Sequence, residues 1–301
     1  MNYRCDNIEK LYYKWGYKKY AIGMSQATLE FKNGDIIGVV GTSRSGKSTL
    51  IDMLSGSLKP TTGELNYDAK KISRVYKESG VRLNKSLTVY DNMVYFGKKQ
   101  KMSELEVENR MAQLRDIFSL NKYINTKASE LSICNKVKSE LAMLLLKTPR
   151  ILFIDDAFTF LNNADKNEVL KCLKRLNKQE RTIIIIAATH VSDVDKIINR
   201  IILVSKSEVI YDDSFELFKS KYCTKKIFEV YLNKNVSIAR LDGVDILDNS
   251  EYYYKLRFNN SIGVFTDVIK LFDMNTIIDM KLNDEDISDI ADEIKKGDKN
   301  D

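Results

Sequence analysis

The residues best placed to do chemistry form a glycine-bounded loop, Gly41–Ser48, which fits the pattern G-x-x-x-x-G-K-[ST]. The loop follows the apolar run Ile36–Val40 and precedes Thr49–Leu54, so the spacing predicts a buried strand, a tight loop and a helix. In that arrangement backbone N–H groups and the positive end of the helix dipole face an anion, while Lys47 reaches the outer phosphates and the Ser48 hydroxyl binds Mg²⁺. The alternative is a flexible glycine-serine turn on the surface. The predicted phosphate-binding residues are Gly41, Thr42, Ser43, Arg44, Ser45, Gly46, Lys47, Ser48 and Thr49.

Two carboxylates and the single histidine follow two other apolar runs. Ile151–Ile154 ends in Asp155 and Asp156, and Ile183–Ala188 is followed two positions later by His190. Phosphoryl transfer needs a cation clamp, a metal ion and a group that orients the attacking water, and ligands collect at the carboxyl ends of parallel strands. We therefore predict that Asp155 holds Mg²⁺ through water, that Asp156 faces the attacking water and that His190 contacts the γ-phosphate. A charged turn and a structural histidine are the alternatives.

The composition limits the remaining classes of function. The 301 residues carry a net charge of +6 that is spread along the chain, whereas nucleic-acid or membrane-surface binding needs basic residues clustered on one face or helix. The four cysteines are far apart and form no C-x-x-C pair, which argues against a zinc site or a disulfide framework. The chain starts with no signal peptide, and its apolar runs are far shorter than the roughly 20 residues of a membrane span. We expect a cytoplasmic protein that binds no nucleic acid and reaches a membrane only through a partner.

The spacing of apolar residues predicts two domains. Short apolar runs alternate with helical patterns in the first part, which is typical of a sheet covered on both faces. Within it, residues 88–148 are predicted to form a helical insert, in which Ser103-x-x-Glu106 is a capping box. In the second part, strand-like alternation surrounds one helix, and an acidic helix follows. We expect an α/β domain over 1–213 and a small α+β domain over 214–301.

These motifs occur in an order that resembles the ATP-binding subunits of ABC transporters. The phosphate loop, the helical insert, Leu131-Ser132, the two aspartates and the histidine follow one another as in that family, and the resemblance covers residues from about 11 to 209. It implies the ABC type of P-loop NTPase fold, a mixed sheet core with a helical subdomain, and ATP and Mg²⁺ as ligands. It also implies ATP hydrolysis coupled to transport through an integral membrane permease, at the inner face of the cell membrane.

The resemblance assigns further roles. Trp15 matches the family's adenine-stacking aromatic residue. Leu131–Asn135 stands at the family's LSGGQ signature, so Ser132 would contact the γ-phosphate of a nucleotide held by the opposite subunit of a head-to-tail dimer. The segment from residue 214 resembles the appended domain of type-2 ABC exporters, including drug-export systems, which implies export. The alternatives to the stacking residue are the nearby tyrosines Tyr12, Tyr17 and Tyr20.

Several positions depart from the family pattern. Ile133 and Cys134 replace the two signature glycines and add side chains where the backbone approaches a phosphate. Asp156 stands where the family has a water-orienting Glu and is one methylene shorter, so we expect slow hydrolysis with intact binding. Glu78 is the nearest candidate for the family's metal- and permease-sensing Gln. Arg44 replaces a small loop residue and either adds charge near the nucleotide or lies in solvent.

These departures lead to the hypothesis that a second, different ATPase subunit completes the site; a homodimer is the alternative.

Two rival functions also fit parts of the sequence. A regulatory or catalytically weak subunit would hold ATP and use closure as a switch. A GTPase is suggested by Asn177–Glu180, which resembles the guanine-reading N-K-x-D, but this tetrapeptide precedes its strand and ends in Glu.

Overall fold

The elements that carry the phosphate loop belong to the first of two units into which the computed structural model divides the chain, Met1–Asp212 and Asp213–Asp301. The structure describes residues 3–14, 19–67, 73–77, 83–156, 158, 161–285 and 287–297. Within these ranges, no helix combines the length and the hydropathy needed to cross a bilayer.

The first unit contains strands and helices that alternate along most of its length. In chain order they are β1 (Tyr3–Lys14), β2 (Lys19–Phe31), β3 (Ile36–Val40), α1 (Lys47–Leu54), β4 (Thr62–Leu65), β5 (Ser73–Lys77), α2 (Val89–Lys99), α3 (Glu104–Ile117), α4 (Ile133–Leu144), β6 (Ile151–Asp155), α5 (Asn163–Glu180), β7 (Ile183–Ala188), β8 (Arg200–Ser205) and β9 (Glu208–Ser214), whose last two residues lie in the second unit.

A six-stranded sheet forms the centre of the first unit, in the order β5-β6-β7-β3-β8-β9. The first five of these strands run parallel, and β3, β6 and β7 are buried along their whole length, as expected for strands covered on both faces. The register places Val40 beside Ala188 and Asp155 beside Ala187. The carboxyl ends of β3, β6 and β7 therefore meet at one edge of the sheet, and the predicted α/β core is confirmed.

A second, three-stranded antiparallel sheet, β2-β1-β4, shares a buried cluster with α1 that includes Cys5 and Met24. The resulting layer covers the helix that follows the phosphate loop. Strand β4 ends at Leu65. The next residue, Asn66, accepts the N–H of Arg4 with its side-chain oxygen at 2.9 Å, where a strand residue would use its backbone carbonyl.

The helical insert begins two of its helices with capping boxes. The Thr88 hydroxyl accepts the N–H of Asp91 at the start of α2, and the Ser103 hydroxyl accepts the N–H of Glu106 at the start of α3. In both boxes the acidic side chain accepts the N–H of the capping residue in return. The capping box predicted at Ser103 is therefore confirmed.

A buried ion pair connects the insert to the core of the first unit. Arg110 of α3 donates from Nη1 to Glu180 Oε1 at 2.5 Å, and its Nε donates to the Leu145 carbonyl at 3.1 Å. The Arg110 side chain is only 8% exposed. Loss of either partner would leave a buried charge uncompensated, so this pair fixes α3 against the end of α5.

The second unit is a four-stranded antiparallel sheet in the order β11-β12-β10-β13, with one helix packed on one face. Phe228, Val230, Leu256 and Phe258 face Val268 and Phe272 across the core. Its elements are α6 (Phe215–Tyr222), β10 (Lys225–Leu232), β11 (Val244–Ser250), β12 (Tyr253–Asn259), α7 (Ile262–Lys270), β13 (Ile277–Asp284) and α8 (Ile287–Gly297).

Two strands give no clear pattern in the sequence. Six of the seven residues of β11 are exposed, so the strand lacks the alternation of apolar and polar residues that marks a half-buried strand. The five residues of β5 include a single aliphatic residue, Val75. Pairing with a neighbouring strand, rather than local composition, decides the structure of both segments.

Candidate functional site

Two glycines shape the loop between β3 and α1. A Cβ atom on Gly41 would lie 2.1 Å from the carbonyl oxygen of Val204 in β8, so only glycine allows the loop to leave the sheet this close to the neighbouring strand. Gly46, which precedes α1, has a φ of 111°, in the left-handed region that glycine tolerates without strain. Both constraints favour glycine at the two positions that the motif fixes.

Lys47 is the buried cation of the loop and is only 9% exposed. Its Nζ donates to the carbonyl oxygens of Gly41 and Thr42, both at 2.8 Å. Burial lowers the pKa of the Lys47 ammonium from its usual value, and the negative charges of Asp156 and Asp155 oppose that shift. The ammonium is thus held on the loop and lies close enough to both carboxylates to be stabilised by them.

Ser48 and Asp155 come together although 107 positions separate them in the chain. The Ser48 hydroxyl donates to Asp155 Oδ1 at 3.1 Å, where α1 begins and β6 ends. Asp155 is buried and Ser48 is exposed. A hydroxyl and a carboxylate oxygen are ligands that Mg²⁺ prefers, and this ion commonly takes only one or two ligands from the protein. The pair fits a Mg²⁺ ion.

The remaining loop residues differ in exposure. Thr42, Ser43 and Arg44 are exposed, Ser45 is buried and Thr49 is half-buried. Arg44 has a φ of 62°, a conformation that non-glycine residues adopt infrequently. The exposed part of the loop therefore faces solvent, while its buried residues pack beneath it.

Asp156 and His190 line one cavity of about 300 Å³ at the ends of β6 and β7. Both side chains are exposed, and Asp156 has a φ of 51°, so the chain turns sharply directly after β6. Lys166 and Asp193 line the same cavity and form an ion pair at 2.5 Å. The sequence does not predict Lys166, because it lies on the polar side of an amphipathic helix without any motif of its own.

Comparison with known proteins identifies this arrangement. Residues 24–159 match the family model described as ABC transporter. The chain therefore contains an ABC-type ATPase domain. ATP, with Mg²⁺, is accordingly the ligand of the site.

The curated relatives of this ABC-type ATPase include proteins named for methionine import. The methionine import ATP-binding protein MetN of Lactobacillus acidophilus is 27% identical over 275 residues, which cover 84% of this chain and 78% of the relative. A putative ABC transporter ATP-binding protein of Archaeoglobus fulgidus is 29% identical over 203 residues, 64% of this chain and 83% of the relative. MetN 1 of Oceanobacillus iheyensis is 30% identical over 218 residues, 68% of this chain and 64% of the relative.

Solved structures support the same fold. The structure of cbiO1 from Clostridium perfringens, part of the ABC transporter complex cbiONQ, has a TM-score of 0.65 at 18% identity and covers 73% of this chain and 90% of its own. A dimeric ATP-binding cassette in a post-hydrolysis state, bound to ADP and Pi, has a TM-score of 0.58 at 24% identity and covers 71% of this chain and 98% of its own. The predicted ABC-type P-loop NTPase fold is confirmed.

The signature segment of this ABC-type ATPase differs from the expectation at one residue. Ser132 is the N-cap of α4, and its Oγ accepts the N–H of Asn135 at 3.3 Å. Ile133 is 56% exposed, but Cys134 is buried, with its Sγ 3.8 Å from the Asp165 carbonyl oxygen. Of these two residues only Ile133 projects from the start of α4, so the prediction that Cys134 adds a side chain where the backbone approaches a phosphate is wrong.

Ser132 is not among the described residues that line the cavity with Asp156 and His190. Within one chain, the structure thus brings together the phosphate loop, the end of β6 and the end of β7, but not the signature. The Ser132 hydroxyl is exposed at the N-terminus of α4.

Two predicted residues, Trp15 and Glu78, lie outside the described residues. The alternative stacking residue Tyr12 is described, and it lies beside the start of α1. A Cβ atom on Gly23 would be 2.3 Å from Tyr12 Cε2 and 3.3 Å from Thr49 Cγ2, so the tyrosine ring covers Gly23 next to the phosphate loop. Tyr12 is 43% exposed.

Proposed function

We propose that this ABC-type ATPase binds and hydrolyses ATP to power an integral membrane permease, and that it lies at the inner face of the cell membrane through that permease. The observation that carries the proposal is the convergence of the Lys47 loop, the Ser48–Asp155 contact and the cavity lined by Asp156 and His190. These are the cation, the metal ligands and the polar groups that phosphoryl transfer requires.

The proposed roles follow the positions of the side chains. The phosphate loop binds the phosphates of ATP, and Asp156 orients the attacking water. Ser48 would bind Mg²⁺ through its hydroxyl, and Asp155 would hold the ion through water. The water oxygen forms a bond to the γ-phosphorus while the bond from that phosphorus to the β–γ bridging oxygen breaks, and a water proton leaves toward Asp156. ADP and phosphate are the products. His190 contacts the γ-phosphate.

We propose a head-to-tail dimer in which Ser132 of each subunit contacts the nucleotide on the other. The separation of Ser132 from the cavity within one chain supports this arrangement. The exposed Ile133 side chain would obstruct the approach of α4 to a phosphate. We therefore infer that the partner is a second, different ATPase subunit with a glycine at this position.

We propose export as the direction of transport, since residues 214–301 resemble the appended domain of type-2 exporters. The relatives named for methionine import favour the opposite direction, and one of them matches 84% of this chain. The direction is tested by reconstituting the chain into vesicles together with the permease that copurifies with it. In the cell the ATP-binding side of the permease faces the cytoplasm, so ATP-driven movement of substrate toward that side would contradict export.

A second candidate function is a regulatory or catalytically weak subunit that binds ATP and closes without efficient turnover. The observation that favours it is Asp156, whose side chain is one methylene shorter than the Glu of the family. The substitutions that follow distinguish the two functions.

Replacement of Asp156 tests its role in hydrolysis. Asp156→Glu restores the longer side chain, and we expect ATP turnover to rise about tenfold, equivalent to about 1.4 kcal/mol in the barrier. Asp156→Asn removes the proton acceptor and should abolish turnover with ATP affinity retained. The measurement is steady-state phosphate release together with calorimetric ATP binding, with Asp116→Glu on the exposed side of α3 as the control. Unchanged turnover in both Asp156 variants would show that this carboxylate does not orient the water.

Removal of the Ile133 side chain tests the dimer contact. We expect Ile133→Gly to raise ATP turnover of the pure chain severalfold, because the start of α4 can then approach the nucleotide on the second copy. The matched control is Leu105→Gly, an exposed aliphatic residue in the first turn of α3. Brisk hydrolysis by the unmodified chain with its permease and no second ATPase would contradict the heterodimer.

Trp15 is proposed to stack on the adenine, and it is the single tryptophan of the chain. Addition of Mg·ATP should therefore quench the intrinsic tryptophan fluorescence in a saturable manner. Trp15→Ala should weaken ATP binding roughly tenfold or more, the effect of losing one base-stacking contact. Tyr12→Ala is the comparison: a large loss of affinity in this variant, with none in Trp15→Ala, would assign the stacking role to Tyr12.

A further inference from the structure

One edge of the sheet in the second unit carries exposed apolar side chains. In the order β11-β12-β10-β13, strand β13 pairs only with β10 and so leaves one edge free of partners within the described residues. Three of its side chains are unusually exposed for their type: Ile278 at 69%, Met280 at 47% and Leu282 at 46%. An edge strand with an exposed apolar row is a template for pairing with another strand.

The backbone of this edge faces outward at Met280. From Asp279 to Asp284 the register with β10 is regular and pairs Met280 with Val230. The N–H of Met280 donates to the side chain of Asp279 at 2.9 Å, so it lies outside the ladder with β10. In an antiparallel strand, a residue whose N–H and C=O groups do not bond to the neighbouring strand on one side directs both groups toward the other side. Met280 therefore directs its carbonyl oxygen to the free edge, where the Asp279 carboxylate holds its N–H. Pairing with a second strand frees that N–H when the Asp279 carboxylate turns to a cation on the second strand.

The two faces of β13 differ in character. Met280 and Leu282 lie opposite Val230 and Phe228, which belong to the core beneath α7, so these two side chains extend that apolar face to the edge. Asp279 and Lys281 are on the other face, where the Lys281 Nζ lies 5.6 Å from the centre of the Tyr231 ring. One face of the edge is apolar, and the other carries one charge of each sign.

We propose that two copies of this chain associate through antiparallel pairing of their β13 strands, centred on Met280. In this register Asp279 of each copy lies opposite Lys281 of the other, which gives two ion pairs related by a twofold axis. Met280 lies opposite Met280 on the apolar face, and Leu282 lies opposite the exposed bulge residue Ile278. Opposite charges and apolar pairs directly across an antiparallel ladder each stabilise the pairing, and a twofold interface uses the same surface on both copies.

Other registers lack this complementarity. A centre on Lys281 places two lysines opposite each other, and a centre on Leu282 places Lys281 opposite the uncharged Asn283. Like charges directly opposite are destabilising. The bulge of β13 falls between Ile277 and Asp279, outside the three central pairs of the proposed register. The charges therefore select the register centred on Met280.

The opposite edge of the sheet is unsuited to self-association. Strand β11 carries Asp245 and Asp248 and no basic residue, and its register with β12 is interrupted between Ile246 and Asp248. Acidic residues and bulges protect an edge from pairing with a second copy. The contrast makes β13 the associating edge of the second unit.

The test is the mass of the full-length chain without nucleotide and with a metal chelator, so that association through bound ATP does not contribute. At roughly 100 µM, a concentration that populates a dimer with a Kd in the micromolar range, sedimentation should show a concentration-dependent dimer of the 34.7 kDa chain. Asp279→Lys and Lys281→Asp should each abolish the dimer. The double variant Asp279→Lys/Lys281→Asp exchanges the two charges and should restore it.

Cysteine cross-linking gives a second measurement of the same register. Met280→Cys should form an intermolecular disulfide on mild oxidation, whereas Ile246→Cys, equally exposed at 45% on the opposite edge, should not. The unsubstituted chain controls for the native thiols, of which Cys223 is the one that is not buried. A chain that stays monomeric, single charge variants that dimerise normally, or a double variant that fails to recover would each overturn the proposal. A failure here leaves ATP binding at Lys47 unaffected, so the two proposals are tested separately.

Discussion

The structure of the site depends on holding the Lys47 ammonium in a largely buried position. An ionised amine loses much of its hydration when it is buried, so it needs polar partners close by. Two carbonyl oxygens of its own loop supply them at 2.8 Å, and the carboxylates of Asp155 and Asp156 add favourable charge. These partners exist only because the loop leaves β3 against β8 and because β6 ends at the same edge of the sheet. The parallel sheet, the two loop glycines and the acidic end of β6 are therefore parts of one electrostatic arrangement.

Departures from the family pattern affect different steps. The Lys47 loop and the Ser48–Asp155 pair have the groups needed for binding, since the cation and the oxygen ligands are in place. The short Asp156 side chain concerns only the position of the attacking water. The Ile133 side chain affects only the contact of this chain with a nucleotide on another subunit, because Ser132 lies outside the cavity of its own chain. Strong binding with weak turnover by the isolated chain is the combination that these residues favour.

Fixed spacing and continuous apolar runs make much of this site predictable from sequence. The loop Gly41–Ser48 fits a pattern of fixed spacing. Asp155 ends one buried strand and His190 follows another, and the carboxyl ends of these strands must meet in a parallel sheet. Lys166 was beyond prediction because its contact with Asp193 joins residues 27 positions apart on an otherwise ordinary polar helix face. The side chain of Cys134 departs from the prediction because the turn of α4 directs it toward α5, a direction that the substitution of glycine does not reveal.

Calorimetric titration of the purified chain with Mg·ATP tests the central claim most directly, namely that the Lys47 loop is the nucleotide site. We predict saturable binding by the wild-type chain and a loss of at least about tenfold in affinity for Lys47→Ala, since a charged hydrogen bond contributes about 1.5–3 kcal/mol. Lys98→Ala, which removes an exposed positive charge from the last turn of α2, is the control and should retain the affinity. Equal affinity of the wild-type and Lys47→Ala chains for Mg·ATP would contradict the account.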